Sequence, residues 1–198
     1  MKYNDWTLGQ VEAVFNKLGG DDGVRRFLAG ELVVKPVQPE LKVFKTIKLG
    51  TNGLRTADDF RKDLKDNGFS IGDYANGILG KPAFTAATEE TEMDLVVISV
   101  AELGFKNGAT CEHIYARAKK LGLDICPAEV GPQLRLQYKD QPNGEWLVIA
   151  MEPIAGSDGD LELFDVERLV SGLWLGCSYG GPDGVWNSGN RFVFSRRK

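Results

Sequence analysis

Apolar and polar residues alternate most clearly in Gln133–Glu152, QLRLQYKDQPNGEWLVIAME. Leu134, Leu136 and Tyr138 interleave with Gln133, Arg135, Gln137 and Lys139, which is the two-residue period of a strand. Asp140-Gln141-Pro142-Asn143-Gly144 is turn chemistry, and a second strand from Glu145 to about Glu152 would close a hairpin. A five-residue loop sets Lys139 against Glu145, whereas a four-residue loop sets Asp140 there, where the two acids repel. The first register is therefore expected. It places Tyr138, Leu136 and Leu134 opposite Trp146, Val148 and Ala150 on a core face. The other face mixes Gln133, Arg135 and Gln137 with Leu147, Ile149 and Met151. Two readings of that face stay open. A helix covers it, with Arg135 paired to a carboxylate at the margin, or it is a ligand or partner surface, apolar with a few placed polar groups.

Elsewhere the period is helical. Thr7 and Gln10 have capping-box spacing ahead of Val11, Val14, Phe15 and Leu18, and Gly19-Gly20 ends that run. Asp21 or Asp22 is a cap for a second short helix carrying Val24, Phe27 and Leu28. Leu32-Val33-Val34 reads as a brief strand before Pro36 and Pro39 break the chain, and Leu41–Leu49 as a further strand with lysines on its polar face. Thr56 opens a helix with Phe60 and Leu64 inward. Ser70 caps the next, over Ile71–Leu79, making an αα-corner. Leu95–Val100 reads as a strand buried on both faces or as a helix continuing to Leu103, Thr110 caps a helix to Leu121, and Pro127 starts one helical turn. Leu161–Arg168, Leu173–Ser178 and Arg191–Arg196 complete the strands. The expectation is an α+β protein: helices in the N-terminal and central parts, then a C-terminal antiparallel meander of about five strands. Residues 1–90 form a helical region with one or two short strands, a candidate subdomain, and 91–198 an α+β domain.

Composition adds limits. At 198 residues, 42% hydrophobic and 26% charged, the chain can bury a core without staples. No window approaches the roughly 18 apolar residues of a membrane span. The first fifteen residues lack the apolar run of an export signal, and three cysteines fit a reducing cytoplasm better than a disulfide framework. Residues 1–90 carry 13 basic and 13 acidic residues, and 91–198 carry 11 and 15. Nucleic acid is not expected as a partner, because phosphate backbones are held by surplus basic charge. Arg196-Arg197-Lys198 is read as a solvated tip, and membrane binding is not expected.

Six stretches carry a resemblance: Thr56-Ala-Asp-Asp-Phe60, Ile78-Leu-Gly-Lys-Pro82, Cys126-Pro-Ala-Glu-Val-Gly-Pro132, Leu134–Tyr138, Gly144-Glu-Trp146 and Arg191-Phe-Val-Phe194. Through them the tract from about Val43 to the C-terminus resembles a group of uncharacterised bacterial proteins. The resemblance implies no activity.

Candidate chemistry is sparse. His113, the single histidine, lies on the helix beginning near Cys111, and Cys111, Cys126 and Cys177 lack the C-x₂-C knuckle of a zinc site. Ser157–Glu162 has alternating acids but no bidentate glutamate at the twelfth position of a calcium loop. No phosphate-binding, dinucleotide or nucleophile-elbow motif occurs, so neither cofactor nor metal is expected. Glu129, Glu145, Glu152, Asp165 and Glu167 could supply paired carboxylates. Glu129 leads them, because Pro127 and Pro132 bracket it. Gly176–Asn190 holds five glycines with Tyr179 and Trp186. It reads either as a loose loop whose tryptophan packs back on the sheet or as a binding loop. With Trp146 and Trp174 it would line an aromatic pocket for a planar or nucleotide-like ligand. The leading expectation is a non-catalytic cytoplasmic binding protein for a small molecule or protein partner, with Gln133, Arg135, Gln137, Tyr179, Trp186 and Glu129 at its site. The alternative is a metal-independent hydrolase using carboxylates near Glu129 and Arg135. A third reading is an assembly component that forms a homodimer through a shared sheet edge.

Overall fold

A computed structural model describes residues 6–34 and 41–197, which divide into two compact units, Met1–Gln38 and Pro39–Lys198. The Pro36–Pro39 break and Lys198 of the basic tip lie outside the described residues. In the first unit, α1 (Leu8–Leu18) begins with the expected capping box: the Gln10 amide donates to Thr7 Oγ1 at 3.3 Å and the Thr7 amide to Gln10 Oε1 at 2.8 Å. Gly19, at φ 95°, both ends α1 and caps α2 (Gly20–Leu28), so Asp21 and Asp22 occupy the first turn instead of the cap. Leu32–Val34 forms no strand.

The second unit runs β1 (Lys45–Leu49), α3 (Ala57–Asp66), β2 (Ser70–Ile71), α4 (Asp73–Leu79), β3 (Thr91–Ser99), β4 (Ala109–Thr110), α5 (Cys111–Lys120), β5 (Leu123–Asp124), α6 (Val130–Gln137), β6 (Trp146–Ile149), β7 (Ile154–Ala155), β8 (Leu161–Leu169), β9 (Gly172–Tyr179), β10 (Val185–Trp186) and β11 (Arg191–Arg196). The strand 45–49 and the helices 57–66 and 73–79 therefore belong with the sheet. The class is α+β, but the sheet is not a five-strand antiparallel meander. Among the described residues it has nine strands, with a path β1-β3-β11-β6-β8-β9-β2. β6 runs parallel to β11 and β2 parallel to β9, because each returns to the sheet from a distant part of the chain. β4 and β10 make a separate ribbon. Ser70 lies in β2 and Gly72 caps α4, so the expected αα-corner is a helix–strand–helix.

The largest departure is the predicted hairpin. Its second strand exists as β6, but its first is helix α6. Pro132 is tolerated because it falls in the first turn, where amides need no intrahelical acceptor. Gly131 lets the helix lie directly on the sheet: a Cβ there would stand 2.7 Å from Phe164 Cβ. Every residue from Val130 to Leu136 is buried, so the apolar positions mark no exposed side, and the alternation in Leu134, Leu136 and Tyr138 is accidental. The Lys139–Glu145 pair does not form. Lys139 reaches Asn67 Oδ1 at 3.1 Å, while Glu145 accepts from Tyr138 at 2.7 Å and pairs with Arg191 at 2.8 Å.

A helix does cover that side of the sheet, and it is built from the very residues predicted to lie beneath one. Arg135 is 0% exposed and pairs with no carboxylate among the described residues. Its guanidinium donates to Gln141 Oε1 at 2.5 Å, to the Tyr138 carbonyl and to the Glu167 carbonyl at 3.4 Å, and lies 5.3 Å from the Phe69 ring centroid. Burial lowers its pKa to about 10, so it stays cationic at neutral pH. Arg135→Ala removes this packing and strands the Gln141 and Tyr138 acceptors. The expected loss is about 3 kcal/mol, read as a lower urea midpoint with unchanged slope.

Candidate functional site

The structure divides the sequence-named residues between two places. Glu129, Gln133 and Gln137 form one i, i+4 row, with Arg135 buried on another side of the same helix. Glu129 Oε1 accepts from the Gly50 amide at 2.8 Å and from Gln133 at 3.0 Å, and Oε2 accepts from the Ala87 amide at 2.7 Å. Gln137 accepts the Lys48 amide at 2.9 Å and donates to the Lys48 carbonyl at 2.8 Å, as a neighbouring strand would. Lys48 lies on β1, an end strand of the sheet path, so the Gln137 amide occupies peptide groups at the sheet edge. A polar cleft of about 360 Å³ opens beside Gln133, Gln137 and Lys139. Its cations are engaged, Lys48 with Glu90 at 2.8 Å and Lys139 with Asn67. The row works as a clamp that holds residues 50 and 87 and strand β1 to the helix.

Tyr179 and Trp186 lie elsewhere. The 176–190 tract is an anchored segment: β9 continues to Tyr179, and β10 pairs with β4 through Trp186 and Ala109. Trp186 packs back, as one reading expected. Its Nε1 donates to Cys111 Sγ at 3.0 Å and its ring meets Phe192 edge-on at 4.9 Å. The same tract also walls an open cleft of about 460 Å³ with Trp146, Ser178, Asn187 and Asn190. Trp146 and Trp186 stand 6.0 Å apart between ring centroids. Gly181 leaves room for the Tyr179 ring in this position, since a Cβ there would lie 2.1 Å from the Tyr179 hydroxyl unless the side chain moved.

Strand register explains what lies behind this cleft. Asp165 pairs with Gly176 and Val148, Leu163 with Ser178, and Glu167 with Trp146, so Trp146, Asp165, Glu167 and Ser178 share one sheet face. The opposite face of β8, with Phe164 and Val166, turns toward α6. Gly176 makes room for the acid: a Cβ there would lie 2.2 Å from Asp165 Oδ1. Ser178 Oγ donates to Asp165 Oδ2 at 2.5 Å. No ion pair involves Asp165 among the described residues, although it is only 3% exposed. Burial pushes its pKa up to about 6 and the Glu167 charge adds to this, while the Ser178 and Trp146 side chains pull it back. Glu167 is also raised, by burial.

In the sequence Asp165 is undistinguished among several carboxylates. The signal that could have found it is an acid at the centre of an apolar strand, LELFDVERL, with a glycine and a serine on the next strand. The remaining candidates fall apart geometrically. His113 is exposed and its Nδ1 lies 2.9 Å from Thr110 Oγ1. The three cysteines are free, and burial raises all three thiol pKa values. Among the described residues no group of three or more His, Cys, Asp or Glu is arranged to hold a metal, and no helix is long and apolar enough to cross a membrane.

No family model matches this chain, and no curated protein or solved structure shows significant similarity to it.

The Asp165 shift makes stability depend on pH. An acid whose pKa rises on folding binds its proton more tightly in the native state. Its contribution is therefore full below about pH 4 and is lost as pH rises through about 6, from an ordinary value of 3.8. Asp165→Asn removes the ionisation, so the variant gains on wild type by on the order of 2 kcal/mol between pH 4 and pH 7 and no more above that. Urea unfolding of both proteins across this range checks the sign; a constant difference contradicts it.

Proposed function

We propose that this protein is a non-catalytic cytoplasmic binding protein that takes a small molecule in the cleft between Trp146, Ser178, Tyr179 and Trp186. The observation that carries this reading is the pairing of apolar walls with a fixed polar floor. Two indoles in tilted contact line an opening of about 460 Å³, and behind it a buried carboxylate holds the Ser178 hydroxyl in one orientation. Such a floor selects a ligand by hydrogen bonding, while the rings supply contact area.

Several features favour binding over chemistry. Ser178 touches Asp165 directly, with no imidazole between them to take a proton, and His113 is engaged with Thr110. Near Glu129, the second expected location, both carboxylate oxygens are occupied by backbone amides and Gln133. Three unpaired cysteines support a reducing compartment.

The test combines native mass spectrometry of the purified chain with tryptophan quenching across a metabolite panel. At least one compound class should quench with saturation. Asn187→Phe places a ring at the exposed mouth of the cleft. It should weaken that binding at least about tenfold by filling space the ligand needs, without altering the unfolding midpoint. Quenching that survives Asn187→Phe unchanged, or no saturable response at all, defeats the proposal.

A further inference from the structure

We infer that the ligand of this cleft is an organic cation, an amine or quaternary ammonium group, recognised by the Trp146 and Trp186 rings and by hydroxyl lone pairs backed by carboxylates. The inference rests on the cleft being the binding site, as proposed above, and adds the charge of what enters it.

Proton accounting leads to this conclusion. A hydroxyl has one proton to give and two lone pairs to receive. Ser178 donates its proton to Asp165 at 2.5 Å, and Tyr179 donates its own to Asp183 at 2.6 Å. With both acids ionised, each hydroxyl turns lone pairs toward other partners and accepts from a ligand donor. Asn187 and Asn190 at the rim carry neutral amides of both polarities and do not discriminate charge. The Asn190 side-chain oxygen already accepts the Asn187 amide at 2.7 Å.

The charge around the cleft points the same way. None of its lining residues is basic. Asp165 has no cationic partner among the described residues, and Glu167 lies beside it on the same face. Arg191, which follows Asn190, is occupied by Glu145 at 2.8 Å. A buried carboxylate without a counter-ion is costly, and a cation brought into the cleft relieves that cost. The faces of Trp146 and Trp186 attract the same charge through their negative quadrupoles. An anion would sit before Ser178 and Tyr179, whose hydroxyl protons are already given to Asp165 and Asp183, with no basic residue lining the cleft to offset those acids.

Titratable groups that influence the readout come from several strands. Glu167 shares the face of Asp165, Glu162 and Cys177 lie on the opposite face of β8 and β9, and Glu145 is neutralised by Arg191. Burial raises the Asp165 pKa to about 6, and the charges of Glu167 and Glu162 act in the same direction, so cation binding should strengthen as pH climbs from about 5 to about 7.5.

The experiment is isothermal titration calorimetry on the full chain with charge-matched pairs: tryptamine against neutral tryptophol, and choline against neutral 3,3-dimethylbutan-1-ol. In at least one pair the cation should bind about tenfold or more tightly than its neutral partner at about pH 7.5, and the preference should shrink near pH 5. Asp165→Asn, expected to fold at least as well as wild type, should erase most of the preference while leaving neutral-ligand affinity within about twofold. Ser178→Ala should weaken the cation while leaving Asp165 in place. Equal or tighter binding by the neutral partners, or a preference untouched by Asp165→Asn, overturns the cationic assignment. No binding by either cation overturns it as well. In each of those cases, panel quenching abolished by Asn187→Phe preserves the cleft itself, so the two ideas fail separately.

Discussion

The burial of α6 is the constraint on which the second unit depends. Seven consecutive residues, Val130 to Leu136, are removed from water, and two of them are Gln133 and Arg135. Burying such groups costs several kcal/mol unless they find partners; Gln133 bonds the Glu129 and Gln137 side chains, and Arg135 satisfies its two terminal nitrogens but not Nε. Glu129 takes the amides of Gly50 and Ala87, Gln137 takes both peptide groups of Lys48, and Arg135 takes the carbonyls of Tyr138 and Glu167. The helix is thereby bonded to the loop after β1, to the segment before β3, and to β8. At Lys48 the Gln137 amide takes both peptide groups, as a neighbouring strand would, and so blocks that position of the β1 edge from pairing with another chain.

This arrangement also explains why the hairpin pattern misleads. Short strands show themselves as apolar and β-branched runs bounded by turn residues, and 161–169, 172–179 and 191–196 are legible for that reason, as are α1 and α3 from their capping boxes. A short helix buried on all sides has no polar face, so periodicity carries no information about it. In Gln133–Tyr138 the polar residues that mimic a solvent-facing row are bonded within the protein: Gln133 to the Glu129 and Gln137 side chains, Gln137 to the Lys48 peptide groups, and Arg135 to Gln141 and two carbonyls. A legible signal is present in another form: Glu129, Gln133 and Gln137 recur at intervals of four, next to Pro132 at a first-turn position. The mixed sheet is hidden for a different cause. Which strands become neighbours depends on long returns of the chain, and the parallel pairings β6–β11 and β2–β9 leave no local trace.

The cleft is half legible. Glycines, Tyr179 and Trp186 mark the segment between β9 and β11, but nothing local says that a two-residue ribbon with β4 pins it. Asp165 is invisible as a special residue, because its environment comes from register: the glycine opposite it, the serine diagonal to it and the Trp146 indole from β6. Burial explains why its carboxyl holds a proton far above the usual range, and Gly176 explains how there is room for it.

β8 joins the helix to the cleft. Its Phe164 lies against Gly131 of α6 and its Glu167 carbonyl accepts from Arg135, while Asp165 and the Glu167 side chain turn to the opposite face, toward Trp146 and Ser178. The wall that carries the acid is thus backed by a helix that Glu129 and Gln137 tie to the peptides of Gly50, Ala87 and Lys48. A binding site gains affinity when its groups are immobilised before the ligand arrives, because less ordering remains to be done on binding. From α6 it is Gly131, close against Phe164, and Arg135, donating to the Glu167 carbonyl, that meet β8 from the other side of the sheet, while the row Glu129, Gln133 and Gln137 ties the same helix to β1 and to residues 50 and 87.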